Sequence, residues 1–146
     1  AGATAFQAFG TVEDYQKVMQ LRAVDPVGEV VGPWIGRMIF GNAPKGSKPV
    51  VVQRDYHAPR SAVQRALELA PELQDLMESL GVEVGVGVPI MKDDHEMLRI
   101  VYRFDSMVHW GQSVDKMVTD ERFLGIVNAA HESATLKSSR MLVKVE

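Results

Sequence analysis

The sequence contains no cysteine, which excludes disulfide bonds, thiolate metal sites and a cysteine nucleophile. No apolar run approaches the roughly 18 residues that a membrane-spanning helix needs, and the first residues lack the basic-then-apolar pattern of a secretory signal. The net charge is only -3 and the basic residues are dispersed, so the basic patches of a nucleic-acid-binding protein are missing. These absences predict a cytoplasmic protein with neither a membrane nor a nucleic-acid partner.

The composition that remains is that of an ordinary globular domain. Of the 146 residues, 46% are hydrophobic and 24% are charged, which is enough chain and enough apolar surface for a core of its own. We therefore expect one domain over residues 1–146, in which 1–49 form an N-terminal helix-strand extension and 50–146 form the core.

The extension carries several short signals. Ala3–Phe9 alternates mildly and predicts a strand or an ordered arm. Thr11 precedes two acidic residues, which predicts the N-cap of a helix that ends near Asp25. Val27–Phe40 is apolar but interrupted by glycine and proline, which favours one bent strand or two short ones near an edge. Gly41–Pro49 is dense in turn residues and predicts a loop, either a hairpin connection or a flap.

The clearest pattern lies at Gly81–Phe104. Apolar residues occupy every second position on both sides of a polar turn, which predicts an antiparallel hairpin with one apolar face. The other face should contain open space and charge, because its residues are Glu83, Gly85, Gly87, Arg99 and Arg103.

The elements around this hairpin complete a recognisable order. Val50–His57 alternates as a strand, and a helix from Pro59 to Leu80 follows it, with a kink or restart expected at Pro71. Two helical pieces follow the hairpin, and the last strand is predicted at Arg140–Val145. Strand, helix, strand, strand, helix, strand is the ferredoxin-like βαββαβ order. It predicts an α+β fold with a four-stranded antiparallel sheet and both helices on one face. A second subunit is the usual cover for the other face, so we expect a homodimer or a higher homo-oligomer.

From Val50 to Val145 the chain resembles the dimeric α+β barrel superfamily, which includes NIPSNAP-like proteins, antibiotic-biosynthesis monooxygenases and EthD-like proteins. The resemblance rests on the element order and on the stretch from Phe104-Asp105-Ser106 to Asp120-Glu121-Arg122-Phe123. There an aromatic residue ends a strand, a serine starts a helix, and the helix breaks before an acidic-aromatic step. The resemblance implies oxygenase, cyclase, isomerase or dehydratase chemistry, and some members of the superfamily bind haem.

The face assignments bring candidate catalytic residues together. The face of Val50–His57 that carries Gln53, Asp55 and His57 should join the polar face of the hairpin. Asp55 could orient the His57 imidazole for proton transfer near neutral pH, and Arg99 or Arg103 could bind an anionic oxygen of the substrate. The predicted catalytic residues are therefore His57, Asp55 and Arg99. The predicted substrate-binding residues are Gln53, Glu83, Gly85, Gly87, Arg103 and Trp110.

Plainer interpretations remain open for the same residues. Arg99 and Arg103 could be simple ion-pair partners of Glu83 and Asp55. His57 could be a surface residue at a strand end. The glycines of the hairpin lack the third glycine and the following helix of a dinucleotide-binding motif.

Two histidines suggest sites for a bound group. His109 lies beside Trp110 and could ligate haem, or it could be an exposed helix residue. His95 follows Asp93 and Asp94 and could complete a metal site, although an acidic hairpin turn needs no metal. We expect no metal and no obligatory cofactor, with haem as the alternative.

The leading hypothesis is a biosynthetic enzyme of small-molecule metabolism, with cofactor-independent oxygenase, cyclase or isomerase chemistry on a hydrophobic, oxygen-bearing substrate in the barrel cavity. A haem-binding or haem-handling protein that uses His109 or His57 is the first alternative. A non-catalytic dimeric binding module is the second.

Overall fold

The computed structural model describes residue 8 and residues 10–25, 35–41, 46–92 and 94–145. The chain divides into two compact units, Ala1–Gly32 and Pro33–Glu146. Most of the strand or arm predicted at Ala3–Phe9, and the first part of the strand predicted at Val27–Phe40, lie outside the described residues. None of the described helices combines the length and the apolar character that crossing a bilayer requires.

The first unit contains helix α1, Glu13–Val24. The prediction that Thr11 caps this helix is wrong. The N-cap is Val12, which has no capping side-chain bond, and the Thr11 hydroxyl donates instead to the backbone oxygen of Ala8 at 2.8 Å. None of the α1 residues is buried.

The second unit contains a five-stranded sheet and three helices among its described residues. In chain order these are β1 (Ile35–Phe40), β2 (Val50–His57), α2 (Arg60–Ser79), β3 (Glu83–Met91), β4 (Met97–Phe104), α3 (Met107–Met117), α4 (Glu121–His131) and β5 (Thr135–Val143). The strand order is β1-β3-β4-β2-β5, and every pair is antiparallel. The predicted ferredoxin-like α+β fold is confirmed, and β1 adds a fifth strand beside β3.

Local signals account for most element ends. Helix α2 continues through Pro71 as a single helix, and Gly81 ends it with a φ of 71°, a conformation that glycine adopts without strain. The predicted break between the last two helices is present, and each half has its own side-chain cap. The Ser106 hydroxyl accepts the His109 N–H, and the Asp120 carboxylate accepts the N–H groups of the first turn of α4.

The three helices of this unit cover one face of the sheet, and the hydrophobic core lies between the helices and that face. Alternate strand residues point into this layer, as the period-two pattern predicts. The cluster joins residues of β2, β3 and β4, and the residue just before β3, to residues of α2, α3 and α4: Val50, Val52, Val82, Val84, Tyr102, Phe104, Leu73, Leu76, Met77, Met117, Phe123 and Ile126.

The last strand differs most from its prediction. The predicted range was Arg140–Val145, whereas β5 runs from Thr135 to Val143 and pairs with β2 along this length. Its first half has little apolar alternation, because β5 is an edge strand whose side chains are almost all exposed. The position of β5 is therefore set by backbone hydrogen bonds to β2, and the hydrophobic pattern of the sequence does not reveal it.

Candidate functional site

The face of the sheet opposite the helices is the open face, and strand register determines which side chains share it. Arg99 of β4 lies between Gly87 of β3 and Asp55 of β2, and Asp55 in turn lies opposite Ser138 of β5. Residues directly opposite each other in antiparallel strands point to the same side of the sheet. By the same register, the open face also carries Gln53, Glu83, Gly85, Val101, Arg103 and Arg140.

A buried ion-pair network occupies the centre of the open face. Arg99 donates two hydrogen bonds to the Asp55 carboxylate, from Nε at 2.5 Å and from a terminal nitrogen at 2.7 Å. Arg140 donates a third at 3.0 Å, and the Ser138 hydroxyl lies 3.5 Å from the same carboxylate. Asp55 is 3% exposed and Arg99 is 8% exposed. Arg99 is therefore an ion-pair partner of Asp55, as the plainer of the two interpretations of Arg99 predicted.

The network decides the protonation state of Asp55. Burial alone would raise the pKa of this carboxyl, but the hydrogen bonds and charges of Arg99 and Arg140 outweigh burial and lower the pKa. Asp55 is therefore a fixed anion that holds β2, β4 and β5 together.

Asp55 does not orient His57, contrary to the prediction. The ring nitrogens of His57 lie 3.9 Å from an oxygen of Asp94 and 3.8 Å from an oxygen of Glu96, at the far end of β2. The reason is geometric. Residues two apart on a strand are separated by roughly 6–7 Å, whereas Arg99 lies directly across from Asp55.

A cavity of about 190 Å³ lies beside the ion-pair network on the open face. Strands β2, β3 and β4 form its floor, and the edge strand β1 forms one wall. Its lining residues are Gly36, Arg37, Met38, Val51, Gln53, Gly87, Arg99, Val101 and Arg103.

The glycines of β3 lie against β1. A Cβ atom at Gly85 would overlap the terminal methyl group of Met38, and a Cβ atom at Gly87 would lie 3.2 Å from the carbonyl oxygen of Arg37. The prediction that Gly85 leaves room for a ligand is therefore wrong, because Met38 of β1 fills that space, whereas Gly87 lines the cavity and its part in ligand binding stays a prediction. The hairpin sequence alone could not reveal a contact with a strand more than 40 residues away.

Arg103 is a cation on the open face for which the described part of the chain provides no partner. It is partly buried and lines the cavity, and no residue in the described part of the chain forms a hydrogen bond or an ion pair with it. Glu83 lies directly opposite Arg103 across the β3–β4 pair, but the Glu83 carboxylate contacts Lys48 at 3.6 Å. Arg103, and not the neutralised Arg99, is therefore the arginine best placed to bind an anionic ligand.

Two residues near the cavity were missing from the sequence-based site. Arg140 belongs to the edge strand whose register could not be predicted. Lys48 belongs to the loop before β2. The one sequence signal for its position near the end of the sheet is that it precedes the start of a predicted strand by two residues.

Known structures with the same fold include NIPSNAP proteins, a haem-degrading enzyme and a candidate monooxygenase. A NIPSNAP family protein from Agrobacterium tumefaciens is 19% identical, with a TM-score of 0.52 over 66% of this chain and 93% of that one. A haem-degrading enzyme from Listeria monocytogenes is 12% identical, with a TM-score of 0.57 over 89% of this chain and 94% of that one. A protein named as a candidate monooxygenase from Fusobacterium nucleatum is 7% identical, with a TM-score of 0.62 over 99% of this chain and 66% of that one.

The chain shares its ferredoxin-like α+β fold with these proteins. No protein-family model and no curated protein matches the sequence. At these low identities the structural similarity establishes the fold alone, so the site has to be judged from its own residues.

Two residues predicted to bind a ligand lie on the helix side of the sheet. They are Trp110, predicted to bind substrate, and His109, considered as a haem ligand. Trp110 packs against the core under α3, on the face of the sheet opposite the cavity, so its predicted place in the substrate site is wrong. His109 accepts the Asp105 N–H at Nδ1, at 3.1 Å, so its proton is on Nε2, which donates to the carbonyl oxygen of Leu80 at 2.7 Å. Both ring nitrogens therefore bond to the backbone, and His57 is the candidate haem ligand that remains.

No cluster of three or more potential metal ligands occurs among the residues that the structure describes. The trio predicted at the hairpin turn includes Asp93, which lies outside those residues. The cofactor and metal expectations therefore stay predictions.

Two smaller cavities lie on the helix side of the sheet. One of about 40 Å³ is almost entirely apolar and lies between α2, α4 and the sheet, with Tyr56 in its wall. The other, of about 20 Å³, is lined by Arg54, Tyr102 and Trp110 among others. The Arg54 guanidinium lies 5.7 Å from the Tyr102 ring centre, and its buried Nε has no hydrogen-bond partner among the described residues. Neither cavity offers the paired polar groups of the open face.

Proposed function

We propose that this protein is an enzyme of small-molecule metabolism whose substrate is hydrophobic and carries an anionic oxygen. The observation that supports the proposal is Arg103, a partly buried cation that lines a cavity of about 190 Å³ and has no ion-pair partner in the described chain. Withdrawing a charge from water without a partner costs free energy. A carboxylate, enolate or phenolate at Arg103 would offset that cost.

The cavity suits chemistry that passes through an anionic state of the substrate. A guanidinium offers two parallel donors to such an oxygen, and a fixed charge at a site withdrawn from water stabilises developing negative charge strongly. Val51, Val101 and Met38 supply apolar contact for the rest of the ligand. Oxygenation, cyclisation or isomerisation of an electron-rich ring, without an obligatory metal or flavin, fits this arrangement. The neighbours named for monooxygenase and haem-degrading activity support oxygen chemistry as the first class to test.

The proposal assigns no step to His57. It lies four positions along β2 from Gln53 in the cavity floor, which is about 13 Å along an extended strand. Asp55 and Arg99 act by holding the cavity floor in shape.

A binding experiment with two matched probes tests the anion site. Benzoate and benzamide have nearly the same shape, but only benzoate is charged. We expect benzoate to shift the amide NMR signals of Gly87 and Val101, and benzamide to bind at least about tenfold more weakly, because hydrogen bonds to a charged group contribute about 1.5–3 kcal/mol. Arg103→Met should reduce benzoate binding by a similar factor, and Arg103→Lys should reduce it less. Arg65→Met, an exposed helix residue, is the control. Equal benzoate binding by Arg103→Met and the wild-type protein would contradict the proposal.

An activity experiment separates an enzyme from a binding module. Oxygen uptake with 1-naphthol is measured without added metal or flavin, and we expect turnover that Arg103→Met lowers by about 10²-fold or more. Benzoate binding without turnover of naphthols or other phenols would favour the non-catalytic module instead.

We also propose that two copies associate through the open face. Met38 and Leu142 lie on that face and are 38% and 49% exposed. Native mass spectrometry tests the association, and a monomer at micromolar concentration would contradict it.

A further inference from the structure

Glu83 and Arg103 lie directly opposite each other in adjacent strands, yet they do not pair. Their register puts their Cβ atoms roughly 4.5–5.5 Å apart, a distance at which opposite charges normally interact. The partner of Glu83 is Lys48, whose Nζ lies 3.6 Å from the carboxylate. No ion pair joins Glu83 to Arg103 in the described chain, and Lys48 is the residue that contacts the Glu83 carboxylate.

Lys48 is itself anchored at a second point. Its Nζ donates a hydrogen bond of 2.5 Å to the carboxylate of Asp105, at the junction of β4 and α3. That hydrogen bond to Asp105 raises the pKa of Lys48, and the same bond lowers the pKa of Asp105. The Lys48 side chain is only 22% exposed, so it is held between two acids rather than extended into solvent.

The anchoring has an electrostatic consequence for the cavity. Lys48 contacts Glu83 while it shares its single charge with Asp105, and Asp55 pairs with Arg99. Arg103 is left without a charge partner in the described chain, and it faces the open side of the sheet, whereas Arg37, which also lines the cavity, lies opposite Val88 on the helix side.

We propose that Lys48 is a positioning residue that keeps Glu83 from pairing with Arg103 and so keeps Arg103 available to an anionic ligand. The effect on ligand binding rests on the proposed function, whereas the competition between Lys48 and Arg103 for Glu83 does not. Without Lys48, Glu83 turns to Arg103, and a ligand then has to displace an internal carboxylate.

The pairing is tested first without any ligand, by the side-chain Nε–H NMR signal of Arg103. In Lys48→Met we expect this signal to move and to become protected from exchange, as an ion pair with Glu83 forms. In the double variant Lys48→Met/Glu83→Gln we expect the wild-type signal again. Lys48→Arg, which keeps the charge and the reach, should leave the signal unchanged. An identical Arg103 signal in Lys48→Met and the wild-type protein would overturn the inference.

The binding consequence is tested with benzoate as the probe. Lys48→Met should raise the benzoate Kd by about three- to tenfold, the usual size of coupling between neighbouring charges. In the Glu83→Gln background the same substitution should change Kd by less than about twofold, because no carboxylate remains to compete. Lys116→Met on α3 removes the same charge at a distance and should leave Kd unchanged.

The outcomes separate this inference from the proposed function. An equal loss of affinity on Lys48→Met in both backgrounds means that Lys48 acts only as a nearby positive charge, and the inference fails while the anion site stands. A wild-type protein that does not bind benzoate removes the anion site, while the Arg103 signal still decides whether Lys48 controls the pairing. Urea unfolding of each variant confirms that the compared proteins are folded.

Discussion

Replacing Asp55 with Asn is expected to lower the free energy of unfolding by about 3–5 kcal/mol, the usual cost of breaking a buried ion pair from one side. The carboxylate is 3% exposed and receives two hydrogen bonds from Arg99, which is itself 8% exposed. The substitution therefore leaves a guanidinium withdrawn from water without its counter-charge. Arg140 adds little to the estimate, because its side chain is 52% exposed and solvent screens its charge.

The effect should depend on pH in a defined direction. The folded pKa of Asp55 lies below its ordinary value of 3.8, because its two arginines outweigh the effect of burial. A carboxyl whose pKa is lower in the folded state stabilises the protein above its unfolded pKa, and this stabilisation is lost as pH falls through the folded pKa. The difference between wild-type and Asp55→Asn should therefore be constant above about pH 5 and should shrink below about pH 4.

Urea unfolding followed by circular dichroism at pH 7 and at pH 3.5 measures both quantities. Glu68→Gln is the control. It breaks a pair with Arg65 in which both side chains are about half exposed, and it should cost no more than about 0.5 kcal/mol. The double variant Asp55→Leu/Arg99→Met should regain much of the lost stability, because apolar side chains can replace a buried pair. A loss below about 1 kcal/mol for Asp55→Asn at pH 7 would refute the reasoning.

Three further predictions concern the helix side. Arg54→Met should leave the urea midpoint unchanged or raise it, since the substitution removes a buried Nε without a partner; a clear decrease would mean that the contact with Tyr102 stabilises more than the unpaired nitrogen costs. Gly81→Ala should cost about 1–2 kcal/mol in the same assay, because φ is 71° there, and no loss would contradict that conformation. His109→Gln should leave the Soret band after haemin addition unchanged, since both ring nitrogens bond to the backbone; a band lost in this variant but kept in His57→Gln would contradict the assignment.

The fold could be predicted from the sequence where its pattern is local. The β3–β4 hairpin has its two strands joined by a short turn, so alternation along one stretch places both faces. The β5 strand has no such pattern, because an exposed edge strand is free to carry Thr135, Lys137 and Ser138 in place of alternating apolar residues. Its range therefore needed the structure.

The site was predictable to the same extent. Period-two parity places Gln53, Asp55, Arg99 and Arg103 on one face. It does not say which carboxylate each arginine reaches, because that depends on register between strands far apart in sequence. The ion pair of Asp55 with Arg99 and the contact of Lys48 with Glu83 both join residues that are far apart in sequence.

The position of Met38 above Gly85 separates two properties of the cavity. The cation proposed to bind the ligand, Arg103, belongs to β4, whereas the free space is limited by an unbranched, flexible side chain on an edge strand. A smaller residue at position 38 would enlarge the cavity and leave its cation untouched. The size of the ligand can therefore change in evolution or by design while the recognition of its anionic group stays the same.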